Sequence, residues 1–416
     1  MKNMALRPSP LIENQPEARP EKSTEWAPAK RWNPFNSHKL LSHVLRWKEI
    51  KRGRPIPPPV LVTIDPTNVC NLDCVWCNAQ YIRKRRHRSL SATVLGHIAD
   101  FLIGWKRNGA GSVFGVDAVC IAGGGEPLLN PGTAELIDRL TENGLQVGLV
   151  TNGTMIHNFI DSLSRCTWVG VSIDAARAST FNRLKSLPAG KEGVFEKVIE
   201  NIRILVDYSK RHFTMLGRSH PGYGVSYKYL VYNRENIAEI YEASRLAKEI
   251  GCKNIHYRPA GTAWDKIGTE GEITFSPDDI TAFYEQMALA QELDDETFGV
   301  YGITHKFNSQ FEKANHFEKC YAIFMTAVFM PPGSDRAPED AYTLALCCDR
   351  RGAGKLELVR DATDVGEVAR RWGGLEHWRI HDRINLGREC PRCTYQPHNE
   401  IYEQVILNDA MTYRFI

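Results

Sequence analysis

Between Val60 and Arg258, short apolar runs alternate with longer stretches whose apolar residues recur every three or four positions. The runs Val60–Ile64, Val116–Ala122, Leu145–Val150, Trp168–Ile173, Val225–Tyr232 and Ile255–Arg258 have the length and β-branched content of buried strands. Ser91–Lys106, Gly132–Asn143 and Asn236–Ile250 read as helices, the last two stopped at Gly144 and Gly251. Val194, Val198, Ile202, Leu205 and Val206 share one helical face. Six β–α units of this size predict a parallel sheet with right-handed crossovers.

The flanks differ in kind. Residues 1–58 carry Pro8, Pro10, Pro16, Pro20, Pro28 and Pro34, then Pro55 and Pro57–Pro59. They read as a proline-rich arm with one short helix near Leu40–Trp47. The βα pattern spans 59–262. A helical bridge is expected over 263–315, with Ser276 as N-cap and Pro277 at the first helical position. Residues 316–416 form a further unit.

Composition narrows the class. At 416 residues, 43% hydrophobic and 24% charged, the chain is globular in type and long enough for two domains. A net charge of +3 gives no argument for nucleic acid or a membrane surface as partner. No secretory signal or membrane span is read from the sequence, and eleven cysteines then point to a reducing cytoplasm and to metal chemistry. The thirteen histidines show no metal-ligand spacing, and no phosphate-binding glycine motif suggests a separate nucleotide cofactor.

Cys70, Cys74 and Cys77 fall within eight residues, spaced C-x3-C-x2-C, on the loop after the first strand. Three soft thiolates favour iron–sulfur or zinc over harder cations. Held by three cysteines, a cubane cluster keeps one iron open to a small molecule, and the same loop can supply three ligands of a structural zinc. After the second strand comes Gly123-Gly124-Gly125-Glu126-Pro127, where glycine lets the backbone approach a ligand closely. Its carbonyls and Glu126 are placed to receive a cationic amine.

The cysteine loop and the Gly-Gly-Glu-Pro turn together resemble the radical S-adenosylmethionine (radical SAM) superfamily. The resemblance implies a partial (β/α)6 TIM-like barrel, a [4Fe–4S] cluster on Cys70, Cys74 and Cys77, and SAM bound to its open iron. Gly124, Gly125, Glu126 and Pro127 match the segment that lines up the methionine amino group. Trp76 matches an aromatic beside the adenine, and Asn152 and Ser172 match contacts to the SAM carboxylate or ribose. Asp174, Lys228 and Arg258, at or near strand ends, are further cofactor-binding candidates. In βα barrels chemistry sits at the C-terminal strand ends, where the cysteines, the glycines, Thr151–Gly153 and Ser172/Asp174 all fall.

A second set of thiols, Cys320, Cys347-Cys348 and Cys390-x2-Cys393, follows the barrel. Alone, C-x2-C serves zinc or iron. Behind a radical SAM barrel, this order resembles the SPASM/twitch extension, a small α+β unit. It implies one auxiliary [4Fe–4S] cluster on Cys320, Cys347, Cys390 and Cys393. Cys348 is the rival of Cys347, since adjacent residues of an extended strand point oppositely.

The resemblance implies reductive cleavage of SAM to a 5′-deoxyadenosyl radical, which takes a hydrogen atom from the substrate. A fully ligated auxiliary cluster accepts an electron, which favours net oxidation. An epimerase instead needs a thiol hydrogen donor, for which Cys252 and Cys120 are the candidates. The expected substrate is a small polar molecule of sugar, aminocyclitol or nucleotide type, with ribosomal-peptide maturation as the alternative and a zinc-binding module as the non-enzymatic one. Arg83–Arg88 is a basic run suited to a solvated loop or to an acidic electron donor of flavodoxin or ferredoxin type.

Overall fold

The computed structural model describes residues 37–53, 55–83, 87–215, 224–302, 317–390 and 393–408. Most of the proline-rich arm, residues 1–36, therefore lies outside the described residues, as do 84–86 of the basic run.

The strands are β1 Leu61–Ile64, β2 Arg107–Gly109, β3 Ser112–Phe114, β4 Ala118–Ile121, β5 Gln146–Thr151, β6 Trp168–Ser172, β7 Gly224–Val231, β8 Asn254–Pro259, β9 Gly299–Gly302, β10 Thr326–Met330, β11 Tyr342–Ala345 and β12 Glu357–Ala362. Ten of them form one open sheet in the order β12-β11-β10-β1-β4-β5-β6-β7-β8-β9, and β2 and β3 form a separate hairpin. From β10 through β9 every neighbouring pair is parallel. The six expected strands are all present, in the expected order along the sheet.

Two features depart from the sequence reading. The bridge expected to be helical carries β9 beside the helix Pro277–Gln291. The C-terminal unit is not set apart from the sheet: β10 pairs parallel with β1, and β11 and β12 continue antiparallel. The reason lies in burial. Every residue of β10 and of β11 is buried, as in strands covered on both faces, and such runs need a paired sheet on either side.

Strand alternation separates two faces. On β4, Val119 and Ile121 are fully buried in the main core, which leaves Cys120 on the other, inner face. On β7 the Tyr227 and Tyr229 hydroxyls donate to Ala175 O (2.5 Å) and Asn236 O (2.6 Å) on the helical side, so Ser226, Lys228 and Leu230 point inward. Tyr257 on β8 bonds Ile240 O and Ser244 in the same way, which turns His256 and Arg258 inward. Register puts Ser172, Lys228 and His256 in one layer and Arg258 one layer nearer the C-terminal strand ends. Below them the Trp168 indole lies across Gly148, where a Cβ would meet it at 2.2 Å. The Lys228 ammonium sits 5.8 Å from the indole centre. Together they fill the barrel floor.

Candidate metal and cofactor site

Strand β1 ends at Ile64, and the chain then crosses the mouth of the barrel to the cysteine loop. Backbone bonds clamp the start of that loop to the glycine turn: Gly125 N–H donates to Thr67 O (3.0 Å) and Glu126 N–H to Val69 O (2.8 Å). The fit allows no side chain. A Cβ on Gly125 would lie 2.0 Å from Val69 O, and one on Gly124 2.8 Å from Asn68 Oδ1. The glycines thus serve first to seat the cysteine loop.

Glu126 does not offer its carboxylate to an amine, as the sequence reading proposed. It is 2% exposed and accepts from Leu128 N–H (3.1 Å), the Thr151 hydroxyl (2.7 Å) and Asn152 N–H (2.7 Å). Both oxygens are taken up in tying the β4 and β5 ends together, and burial pushes its pKa up despite these bonds. Pro127 opens the short helix that Glu126 caps. Asn152 likewise works within the protein: its amide donates to Asn71 Oδ1 (2.8 Å) while its carbonyl oxygen accepts from Thr154. Asn71 in turn donates to the Thr154 hydroxyl (2.9 Å), which fastens the cysteine loop to the end of β5.

Cys70, Cys74 and Cys77 are part-buried in this loop. Burial pushes the Cys74 thiol up to about 11, with Cys77 and Cys70 close enough to add to the shift. Two cations attend them. Arg83 folds back to donate to Leu72 O (2.6 Å) and to the Cys77 sulfur (3.5 Å), and Lys185 reaches Cys74 from the buried side. A cavity of about 380 Å³ lies against Cys70, Asn71, Asp73, Arg83, His87 and Lys185. Three neighbouring thiols, compensating cations and an adjoining cavity fit a cysteine-bound [4Fe–4S] cluster with room for a small ligand. Among the described residues no three His, Cys, Asp or Glu side chains close in on the volume of a single ion.

Trp76 is 6% exposed and packs against Leu184, Ala260 and the Tyr232 ring. Asp174 is corrected. Its carboxylate is fully buried, paired with Lys185 at 2.5 Å and accepting from Leu230 N–H at 2.7 Å, and nothing of it faces the barrel mouth. Cys252 is corrected as a hydrogen donor: it lies in the core before β8 begins, 3% exposed, at the opposite end from the strand C-termini. Cys120 faces the barrel interior, near Lys228, Arg351, Cys348 and Asp65, and burial raises its thiol to about 11.

The second thiols do come together. Cys393 is influenced by Cys320, Cys347 and Cys390, and Cys347 by Cys320, with burial raising all four. Cys347, like Cys320, Cys390 and Cys393, is partly buried and packs against the main core. Cys348 turns the other way, against Val328, Met330 and Ala345, and its sulfur lies 3.2 Å from the Tyr395 hydroxyl. Four part-buried thiols that influence one another fit a second cluster. Its loop reaches over the barrel mouth: Arg351 pairs with Asp65, the Tyr81 hydroxyl donates to Arg351 O, and the Trp264 indole donates to Asp349 O.

Asn71, Lys185, Asp65, Arg351 and Tyr395 escaped the sequence reading because none has a motif. The basic run is partly recast: Arg88 donates to Ser334 O (2.6 Å) and Ala337 O (3.1 Å), binding the barrel to the C-terminal unit.

Comparison with known proteins agrees with this geometry. Residues 64–247 match the Radical SAM superfamily. The AdoMet-dependent heme synthase of Methanosarcina barkeri is 28% identical over 48% of this chain and 50% of its own length. The antilisterial bacteriocin subtilosin biosynthesis protein AlbA of Bacillus subtilis is 23% identical over 58% and 47%. The chain thus spans about half the length of these curated relatives. In fold it is similar to Streptococcus suis SuiB bound to its precursor peptide SuiA, with a TM-score of 0.57 at 14% identity over 86% of this chain and 73% of that one. No helix among the described residues is long and apolar enough to cross a membrane. Residues 64–247 thus carry a Radical SAM superfamily domain, a family that uses a [4Fe–4S] cluster and S-adenosylmethionine.

Proposed function

We propose that this protein carries out an oxidative radical SAM reaction on a peptide, with Cys70, Cys74 and Cys77 holding the SAM cluster and Cys320, Cys347, Cys390 and Cys393 holding one auxiliary cluster. The observation that carries the oxidative reading is that Cys393 lies under the influence of Cys320, Cys347 and Cys390, with Cys347 at the start of the loop that overhangs the barrel mouth. The SAM cluster supplies a 5′-deoxyadenosyl radical, and an all-cysteine centre beside the substrate supplies an electron acceptor. The chain's own part is to seat the cysteine loop, close the floor with Trp168 and Lys228, and shield the lumen from water.

The peptide class is supported by AlbA and by the SuiB fold, bound there to a precursor peptide. It is preferred here to the small polar substrate expected from the sequence. A small-molecule substrate remains the second reading, favoured by the heme synthase among the relatives. An acidic flavodoxin- or ferredoxin-type protein is the proposed electron donor, drawn to the basic run after the cysteine loop.

The test is anaerobic reconstitution with SAM and a strong reductant, then incubation with deuterated candidate peptides. Deuterium in 5′-deoxyadenosine and a peptide two mass units lighter support the proposal. Transfer from a small metabolite, with none from any peptide, would overturn the peptide reading. A product of unchanged mass would overturn the oxidation.

A further inference from the structure

The helix Ala178–Leu184 ends directly beneath the cysteine loop and is bonded to it. Val75 N–H donates to Leu184 O (3.0 Å) and Asp73 N–H to Lys185 O (3.4 Å). Lys185 then turns its side chain into the protein. Its ammonium is 2.5 Å from an Asp174 oxygen and 5.0 Å from the centre of the Trp76 ring, and both charged side chains are 1% exposed. Asp174 holds φ at +65°, a left-handed conformation that side-chain-bearing residues rarely adopt. Leu230 N–H bonds its carboxylate (2.7 Å) and the Asn236 amide its carbonyl oxygen (3.2 Å), so the strained residue is fixed from both sides.

A buried ion pair is a poor source of net stability, since desolvation cancels most of the attraction. Its place is more telling than its strength. The cysteine loop gathers three cysteine sulfurs, with Arg83 bonded to Cys77 and the buried Lys185 bonded through its backbone to Asp73. Salt screens a buried charge far less than an exposed one.

We propose that Lys185 is a positioning residue that sets the electron affinity of the metal centre on Cys70, Cys74 and Cys77, its ammonium being held by Asp174 and Trp76 against the buried face of the loop. Adding an electron to a centre near a fixed positive charge is favoured by their attraction. Net charge around an iron–sulfur cluster is one of the levers on its potential. Asp174 opposes the effect in charge while fixing the ammonium in place. The inference rests on the cluster assignment proposed above.

Its test is a reductive titration of reconstituted Lys185→Met, Lys185→Arg and Asp174→Asn proteins, following the paramagnetic signal that changes on adding SAM. Lys185→Met is expected to shift the midpoint to more negative potential, Asp174→Asn to less negative, and Lys185→Arg to stay near the parent. A purely structural role would not give opposite signs. Equal midpoints in all proteins, or shifts of one sign for Lys185→Met and Asp174→Asn, would overturn the proposal. So would loss of the loop's iron from both Lys185 variants, which would make the residue structural whatever its charge. If the Cys70/Cys74/Cys77→Ala protein kept the SAM-responsive signal, the fault would lie in the cluster assignment instead.

Discussion

The Asp65 carboxylate accepts two hydrogen bonds from the Arg351 guanidinium, at 2.5 and 3.1 Å, and so joins the end of β1 to the loop that carries Cys347. The two residues lie 286 positions apart in sequence. Through this pair the loop that follows Cys347 is held over the barrel mouth, with the Tyr81 and Trp264 bonds to the same loop.

Breaking that pair leaves a buried charge alone. Arg351→Met is expected to lower stability by about 3 kcal/mol, the scale for removing one partner of a buried ion pair. Asp65→Asn should cost less, because the amide oxygen still accepts one bond. Urea midpoints of the two variants against the parent check the order.

Replacing Cys70, Cys74 and Cys77 together by Ala is expected to abolish 5′-deoxyadenosine formation and leave the second centre intact. Iron content should fall from roughly eight to roughly four per chain, two four-iron clusters being the premise. Iron analysis and chromatography of the nucleoside product check both halves.

Cys347 and Cys348 face opposite ways, so single substitutions separate them. Cys347→Ala should lose roughly four irons, on the same premise, and Cys348→Ala none. The reverse pattern would assign the ligand to Cys348.

Gly125→Ala places a methyl group 2.0 Å from Val69 O, with backbone on both sides and no flexible side chain to yield. The cysteine loop must shift. Loss of the SAM-responsive signal, together with destabilisation of at least about 1–3 kcal/mol, is expected. Chemical denaturation and spectroscopy of the reconstituted variant test it.

His377 is fully buried, accepting from Gly373 N–H (3.1 Å) and donating to Ile323 O (3.2 Å), and burial pushes its pKa down to about 3. Its folded value lies below the unfolded one, near 6.5. The stability it contributes is therefore complete above pH 6.5 and drains away as pH falls towards 3, by up to about 1.4 kcal/mol per unit. Denaturation midpoints at pH 7, 5.5 and 4 should fall in the parent and fall less in His377→Gln. Equal slopes would remove His377 as the cause.

Much of the site was legible in the sequence because its signals are local. Cys70, Cys74 and Cys77 share one loop, and the glycines of 123–125 follow one strand, so spacing alone brought them forward. The six strands were legible from apolar runs bounded by turns. β9 and β10 were not given to the sheet, because a four- or five-residue run carries no statement of which strand it pairs with. Glu126, Asn152 and Asp174 had the right chemistry for a ligand, yet their hydrogen bonds are used within the protein.

The amino-acid sequence alone was enough for the βα order, the cysteine loop at the end of β1 and the resemblance of the βα segment to radical SAM domains. Each depends on neighbours within a few residues or on a repeated period. The packing of the whole chain was needed to show that the C-terminal strands extend the barrel sheet, that Cys347 and Cys348 pack against different clusters, and that Lys185 lies buried under the cysteine loop. Those outcomes turn on which distant side chains share a face and which charges are withdrawn from water. No local pattern encodes that, because pairing across tens or hundreds of residues is settled only when the whole core closes.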